Sequence, residues 1–209
     1  MRFSLVLVTA LFAGFSGTAF ADEQVRQLPE FDSIKSRSAF NIVIDAGQPQ
    51  SVTIKGSEKF TSRIVTEVVD RELIISYKEK NSFRISDDMQ VIIKISDLRK
   101  LKIEGAGLTK INNINNDNFS VAYEGAGMLV MTGKTKNLSL NAQGVGMIEA
   151  KNLIADQASV NVEGVGSVSV YAKDKLSASV QGIGSLTYYG KPKSLSKSVD
   201  GIGSIRAAD

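Results

Sequence analysis

The chain contains 209 residues, with 25 Lys and Arg and 22 Asp and Glu, but no His, Cys or Trp. This composition excludes a cysteine nucleophile, an imidazole base, a zinc site of nitrogen and sulfur ligands, a haem held by His or Cys, and any disulfide. The formal charge of +3 is small and no Lys- or Arg-rich run is present, so the sequence does not predict a nucleic-acid-binding surface. We expect no cofactor and no metal site.

The N-terminus carries the pattern of an export signal. Arg2 is followed by an apolar stretch over residues 5–15 and then by Ala19-Phe20-Ala21, the small-x-small pattern recognised by signal peptidase. We predict that residues 1–21 are removed and that 22–209 form one domain without a membrane span. Without Cys, the mature N-terminus cannot be lipid-modified, so the product is not a lipoprotein. The sequence predicts an exported protein that is soluble in the periplasm or outside the cell.

The first half of the mature chain alternates between apolar and polar residues in short segments. This pattern is typical of strands with one buried face, and it predicts strands at 40–44, 52–54, 64–68, 73–77 and 91–95. Turn-like segments lie at 45–47 and 70–72, and a polar stretch covers 78–88. We expect these irregular coils to cap one end of the fold, and we predict no substantial helix.

A Gly-x-Gly element recurs at nearly even spacing through the second half of the chain. Its members, here called the corner glycines, are Gly105, Gly107, Gly125, Gly127, Gly144, Gly146, Gly164, Gly166, Gly182, Gly184, Gly201 and Gly203. Residues within each copy alternate with period two, as in strands. A fixed period of about 19 with strand alternation predicts an all-β fold, a single parallel β-helix or β-solenoid, with regular coils over about 98–209.

The corner glycines have a structural interpretation in this fold. If alternation continues through each element, both glycines face inward, where the coil turns and its walls converge, and only a residue without a side chain fits there. A glycine-rich phosphate-binding loop would instead need a following helix with converging amides. The repeats offer no helical spacing, so we favour a structural role.

A polar residue precedes each Gly-x-Gly element. The carboxylates among these residues form a candidate acidic ladder, which consists of Glu104, Glu124, Glu163 and Asp200. Glu104 and Glu124 would be neighbours across a rung and would repel each other. A bound cation is one way to relieve this repulsion, but a solvated edge with Lys102 or Lys110 nearby explains the same pattern, and we favour it. A second column, with Ser120, Ser139, Ser159, Ser177 and Ser196, lies shortly before each first glycine. No base is available to activate these hydroxyls.

The middle residue of each Gly-x-Gly element is apolar. The larger ones form a candidate interaction stripe, here called the apolar stripe: Val145, Val165, Ile183 and Ile202. Strict alternation predicts that they point outward, and an exposed apolar row is typical of an interface. If the bend changes the alternation, the same side chains are buried. The sequence leaves both arrangements open.

The order of these segments resembles a known bacterial family. Phe31-Asp32-Ser33-Ile34, Ser51-Val52-Thr53-Ile54 and Leu73-Ile74-Ile75, followed by the Gly-x-Gly series, are similar to the putative auto-transporter adhesin, head GIN domain family. The resemblance covers the chain from about Gln27 to the C-terminus. It implies a β-helical fold, export and an adhesive role in the bacterial cell envelope. The family is a domain of unknown function, and it offers no catalytic residues to transfer.

These observations favour a non-enzymatic, adhesin-like interaction module. It would bind a surface or envelope protein or a glycan through one face of the solenoid. A polysaccharide-cleaving β-helix enzyme is the alternative, but it predicts a groove with clustered Asp, Lys or Arg, and no such cluster recurs at one coil position. A structural envelope protein that associates with itself, and so forms a homo-oligomer, is the third possibility.

Overall fold

The computed structural model describes residues 22–37, 39–78 and 89–208. The predicted signal peptide and nearly all of the polar stretch at 78–88 lie outside these residues. The elements in chain order are β1 (Asp22–Arg26), β2 (Ser33–Arg37), β3 (Asn41–Ala46), β4 (Ser51–Gly56), α1 (Glu58–Thr61), β5 (Ile64–Val69), β6 (Glu72–Tyr77), β7 (Gln90–Ile95), β8 (Lys100–Ile103), β9 (Ala106–Tyr189), β10 (Ser194–Gly201) and β11 (Ser204–Ala207). The described chain is therefore all-β, as predicted, with one short helix.

The five strands predicted in the first half correspond to β3, β4, β5, β6 and β7 and differ from them slightly at the ends. The turn predicted at 45–47 begins later, because Asp45 and Ala46 remain in β3 and pair with β7. The sequence patterns did not predict β1, β2 or α1. Although α1 has only four residues, it has an N-cap, since the Ser57 side chain accepts a hydrogen bond from the Phe60 amide. Phe60 is buried and packs edge-on against Phe40, with ring centroids 5.7 Å apart.

Strand orientation is mixed in the first half, which corrects the expectation of a wholly parallel arrangement. β1 pairs with β4, β4 with β7 and β5 with β6 in antiparallel fashion. The β5–β6 hairpin explains one of these pairs: Asp70 and Arg71 occupy its turn with φ of 49° and 62°, and such a tight turn can join only antiparallel strands. β2 and β3 nevertheless pair in parallel with β8 and β9.

The second half is dominated by β9, an 84-residue strand. Fully extended, it would span about 280 Å at the usual rise per residue, so it must turn repeatedly to share a core with the other strands. β8 pairs in parallel with the β9 segment that begins at Ser120, β10 with the segment that begins at Lys175, and β11 with the segment that begins at Ser185. In each of these pairs the two partners occupy equivalent positions of neighbouring copies. The sequence repeat is therefore also the period of strand pairing.

Alternation within the repeats places one set of side chains in the core. In the third copy, Leu138, Leu140, Ala142, Ile148 and Ala150 are all buried, as the period-two pattern predicted. The buried residues of both halves, from Phe31 to Tyr188, form one hydrophobic cluster. The opposite set of side chains faces solvent and carries the candidate site residues.

Candidate functional site

The apolar stripe lies on the surface. Val145, Val165, Ile183 and Ile202 have exposed fractions of 58%, 48%, 55% and 79%. Of the two arrangements that the sequence left open, the structure has the outward one, so the alternation continues through the Gly-x-Gly element. The smaller middle residues Ala106 and Ala126 line the same edge of the earlier repeats. The stripe therefore becomes bulkier toward the C-terminus.

The glycines on either side of the stripe residues bring the backbones of successive Gly-x-Gly elements close together. A Cβ built on Gly125 would overlap the carbonyl oxygen of Gly105, and one built on Gly144 would overlap that of Gly125. The Ala126 amide donates a hydrogen bond to the same Gly105 oxygen at 2.9 Å. Each corner therefore lies directly on the backbone of the corner before it, and the middle side chains project from neighbouring rungs.

This geometry gives a different explanation of why the corner positions must be glycine. The sequence argument had both glycines facing a crowded core, whereas most of them approach the backbone of the preceding repeat. The glycines for which an added Cβ would meet that backbone most closely are Gly125, Gly127, Gly144, Gly146, Gly164, Gly166, Gly182 and Gly201, and Gly107 meets Phe40 in the same way. An added Cβ at Gly203 would meet both the Gly184 oxygen and the Val180 side chain at 2.8 Å, whereas one at Gly184 would come no closer than 3.3 Å, to the Gly166 oxygen. Because a carbonyl cannot move aside as a flexible side chain can, the glycines that would overlap the preceding backbone exclude side chains, whereas Gly184 has more room.

The N-terminal end of the acidic ladder is an ion-pair network. The Lys102 ammonium lies 2.8 Å from an oxygen of Glu104 and 3.0 Å from one of Glu124. Lys35 and Arg37, both from β2, each contact Glu104 at 3.1 Å. Hydrogen bonding from Lys102, supported by Lys35, lowers the pKa of Glu104 from 4.5 to about 2, and the same carboxylates raise the pKa of Lys102. A lysine thus occupies the place between two carboxylates where a bound cation was considered.

The other two ladder carboxylates, Glu163 and Asp200, contact side-chain amides or solvent. Glu163 accepts hydrogen bonds from the Gln143 amide at 2.9 Å and from the Asn161 amide at 2.7 Å. Asp200 is exposed in β10. Within the described ranges, no three acidic residues come close enough to form a metal site. The four ladder carboxylates therefore do not converge on one point.

The serine column borders a shallow polar groove of about 580 Å³. Ser120, Ser139, Ser159 and Ser177 line it, together with Asn118, Asn137, Gln157, Arg99 and Lys175 over a floor of Phe119, Leu138 and Ala158. Among the described residues that line this groove, none is a carboxylate. An adjoining pocket of about 410 Å³ contains two carboxylates, Asp97 and Asp117. They are ion-paired with Arg99 and Lys136 respectively.

Sequence reasoning did not find Lys35 and Arg37 as partners of the ladder. They lie far before Glu104 in the chain, in a segment without the Gly-x-Gly motif. The usable signal was the alternation of the polar residues Ser33, Lys35 and Arg37 with Ile34 and Ser36, which indicates a strand but not its neighbour. The pairing of β2 with β8 brings these cations to the ladder.

The structure defines an all-β protein whose strand pairing follows the sequence repeat. An exposed apolar stripe lies beside an acidic ladder in which Lys102 pairs with the first two carboxylates, Glu104 and Glu124. The chain belongs to the family described as putative auto-transporter adhesin, head GIN domain, which matches residues 30–192. The resemblance noted from the sequence is confirmed. The family relationship makes this an adhesin-like domain of unknown function.

Solved structures share this fold. A putative adhesin from Bacteroides fragilis is 25% identical, with a TM-score of 0.74, and the alignment covers 93% of this chain and 100% of the other. A putative adhesin from Parabacteroides merdae is 15% identical, with a TM-score of 0.54 and coverage of 92% and 98%. A putative lipid binding protein from Parabacteroides distasonis is 21% identical, with a TM-score of 0.50 and the same coverage. The curated proteins contain no match to this chain. In the part of the chain that the structure describes, no helix is long and apolar enough to cross a membrane.

Proposed function

We propose that this chain is an exported, non-enzymatic interaction module that binds a surface or envelope partner through the apolar stripe. The observation that carries the proposal is the exposure of four large aliphatic side chains, Val145, Val165, Ile183 and Ile202, at one position of consecutive repeats. Scattered apolar residues are ordinary on protein surfaces, whereas a contiguous row marks a surface that another molecule covers.

The architecture suited to this role is a parallel β-solenoid over 98–209. The irregular first half precedes it in the chain, and both parts belong to one domain, 22–209. Support comes from the parallel pairing of segments that are one repeat apart. Side-chain contacts between neighbouring copies also support it, such as the hydrogen bond of 2.8 Å from Thr135 to Asn116. A solenoid holds equivalent residues about 4.8 Å apart on a rigid surface, so the stripe needs little ordering when it binds.

The polar residues beside the stripe indicate which kind of partner surface would be complementary to it. Glu163 and Asp200 precede Val165 and Ile202 on the same strand face, and both are ladder carboxylates without an ion pair among the described residues. Near the first repeats, by contrast, Lys102 neutralises Glu104 and Glu124. The C-terminal part of the surface thus combines aliphatic groups with uncompensated negative charge. It fits a protein partner that presents apolar side chains flanked by Lys or Arg.

The absence of His and Cys supports a non-enzymatic role, as does the pairing of the two carboxylates next to the serine groove, Asp97 and Asp117, with cations. Among the described residues that line the groove, no His and no carboxylate is present to take a proton from the serines. Binding is therefore the activity that these surfaces support best.

A double substitution in the stripe tests the proposal. Val165→Lys with Ile183→Lys should leave circular dichroism and the melting temperature close to wild type, because both side chains are exposed. Binding of the labelled mature protein to isolated envelopes of the producing bacterium should be lost.

The matched control is Ser159→Lys with Ser177→Lys, which adds the same charge to the polar groove. It should retain binding. A folded stripe variant that binds envelopes as well as wild type would remove the stripe as the binding surface. Equal loss in both variants would show that added charge alone is responsible.

A further inference from the structure

Among the described strands, β10 lies at an edge of the sheet. β10 pairs in parallel with β9 on one side, and within the described residues no strand pairs with its other side. All eight of its residues are exposed. Leu195 and Val199 have exposed fractions of 41% and 45%, although Leu176 and Val180, their partners one repeat earlier, are fully buried. Two core positions and one row of backbone hydrogen-bonding groups therefore face solvent.

Between these two residues, Lys197 occupies a third core-facing position. Its partner one repeat earlier is Ala178, which is buried. The Lys197 ammonium lies 5.9 Å from the centre of the Tyr188 ring. The lysine stem thus covers the end of the core while its charge stays at the solvent-facing edge. The register of the repeat predicts a small or apolar residue here, so a lysine is unexpected on packing grounds.

We propose that the open edge of β10 is shaped to pair with a second copy of this chain and that Lys197 prevents that pairing. An exposed edge with apolar core residues is a template for strand addition, and a charge directed inward at the edge is a recognised means of blocking it. The second copy is singled out because the apolar residues of β10 can match themselves in a two-fold arrangement.

The register of that arrangement shows what the lysine does. If two β10 strands pair antiparallel with their core faces on the same side, Leu195 of each lies opposite Val199 of the other. The strand centre, Lys197, then lies directly opposite its own counterpart, where like charges repel. A shift of two residues in either direction instead places Lys197 opposite Val199 or Leu195, which buries an ammonium among aliphatic side chains. Each of these three registers is disfavoured by the same residue.

The experiment measures the mass of the mature protein by light scattering and sedimentation over a wide concentration range. Wild type should be monomeric. Lys197→Val should self-associate, with an association constant at least about tenfold above that of wild type. The control Lys191→Val makes the same chemical change outside β10 and should remain monomeric.

A charge-reversal variant separates specific pairing from general stickiness. Lys197→Glu should be monomeric alone, since like charges still face each other, but it should form a mixed dimer with wild type, because opposite charges then meet at the two-fold centre. Circular dichroism establishes that each variant is folded. A folded Lys197→Val protein that remains monomeric, or the absence of the mixed dimer, would overturn the proposal. So would a wild type that dimerises as strongly as Lys197→Val.

Discussion

Replacing Gly144 with alanine tests whether the corners of the repeat lie on the backbone of the preceding repeat. The new Cβ would overlap the Gly125 carbonyl oxygen, and Gly144 has a φ of 134°, which side chains rarely tolerate. Overpacking typically costs about 1–3 kcal/mol, and an unfavourable positive φ costs about 1–2 kcal/mol. We expect a combined loss of about 3 kcal/mol in the free energy of unfolding, or a fall of about 6–12 °C in Tm for a chain of this size.

Gly184→Ala is the matched control for this prediction. An added Cβ at Gly184 would lie 3.3 Å from the Gly166 oxygen and 3.7 Å from the side chains of Val162 and Val180, and Gly184 is not among the glycines with positive φ. Its loss should stay below about 1 kcal/mol. Urea unfolding followed by circular dichroism measures both variants. If crowding in the core were the reason for the glycines, Gly184, which lies beside two valines, would be the more sensitive position, and that ranking would refute the stacking explanation.

Two further predictions concern titratable groups. The pKa of Glu104 in the folded protein, about 2, lies below its ordinary 4.5, so its ion pairs stabilise the fold fully above about pH 4.5 and are lost as the pH falls toward 2. Glu104→Gln should therefore be about 1 kcal/mol less stable than wild type at pH 6, a value reduced by solvent screening of this partly exposed network. Melting curves should show the difference vanish near pH 2, and a constant difference would contradict the assignment. The Tyr123 hydroxyl is buried without a hydrogen-bond partner among the described residues, and burial raises its pKa. Tyr123→Phe should thus increase stability by about 1 kcal/mol in urea unfolding, whereas a clear loss would reveal an unrecognised partner for the hydroxyl.

The repeat predicted the second half of the fold well because it contains two periods, and each determines a different property of the structure. Period two decides which side chains are buried, and Leu138 and Leu140 are buried as expected. The longer period, from one Gly-x-Gly element to the next, decides which residues become neighbours, and the pairing of Leu195 with Leu176 follows it. Neither period explains why Gly144 must lack a side chain, since the obstructing atom belongs to the backbone, which every sequence shares.

Strand direction in the first half could not be predicted in the same way. Val52 and Ile54 alternate with polar residues in β4, and this pattern is identical whether a neighbouring strand runs parallel or antiparallel. Whether two strands run parallel or antiparallel depends on the loops that connect them and on which end of the fold each strand covers. The ion pairs of Lys35 and Arg37 with Glu104 were hidden for the same reason, because they depend on β2 lying beside β8.

The two ends of the molecule differ in a way that bears on its proposed function. At the N-terminal end, the antiparallel strands β1 and β5 are the edge strands of the sheet, and Lys102 pairs with the ladder carboxylates Glu104 and Glu124. At the C-terminal end, one edge of β10 is unpaired among the described strands, and the most exposed member of the apolar stripe, Ile202, follows β10 directly. A chain that used this end to polymerise would gain from an apolar residue at 197, yet a lysine stands there. Lys197 favours a monomer, whose apolar stripe stays available to a different molecule. The molecular mass of the Lys197→Val variant tests self-assembly, and envelope binding by the stripe variant tests adhesion. The two measurements together therefore distinguish an adhesive module from a self-assembling one.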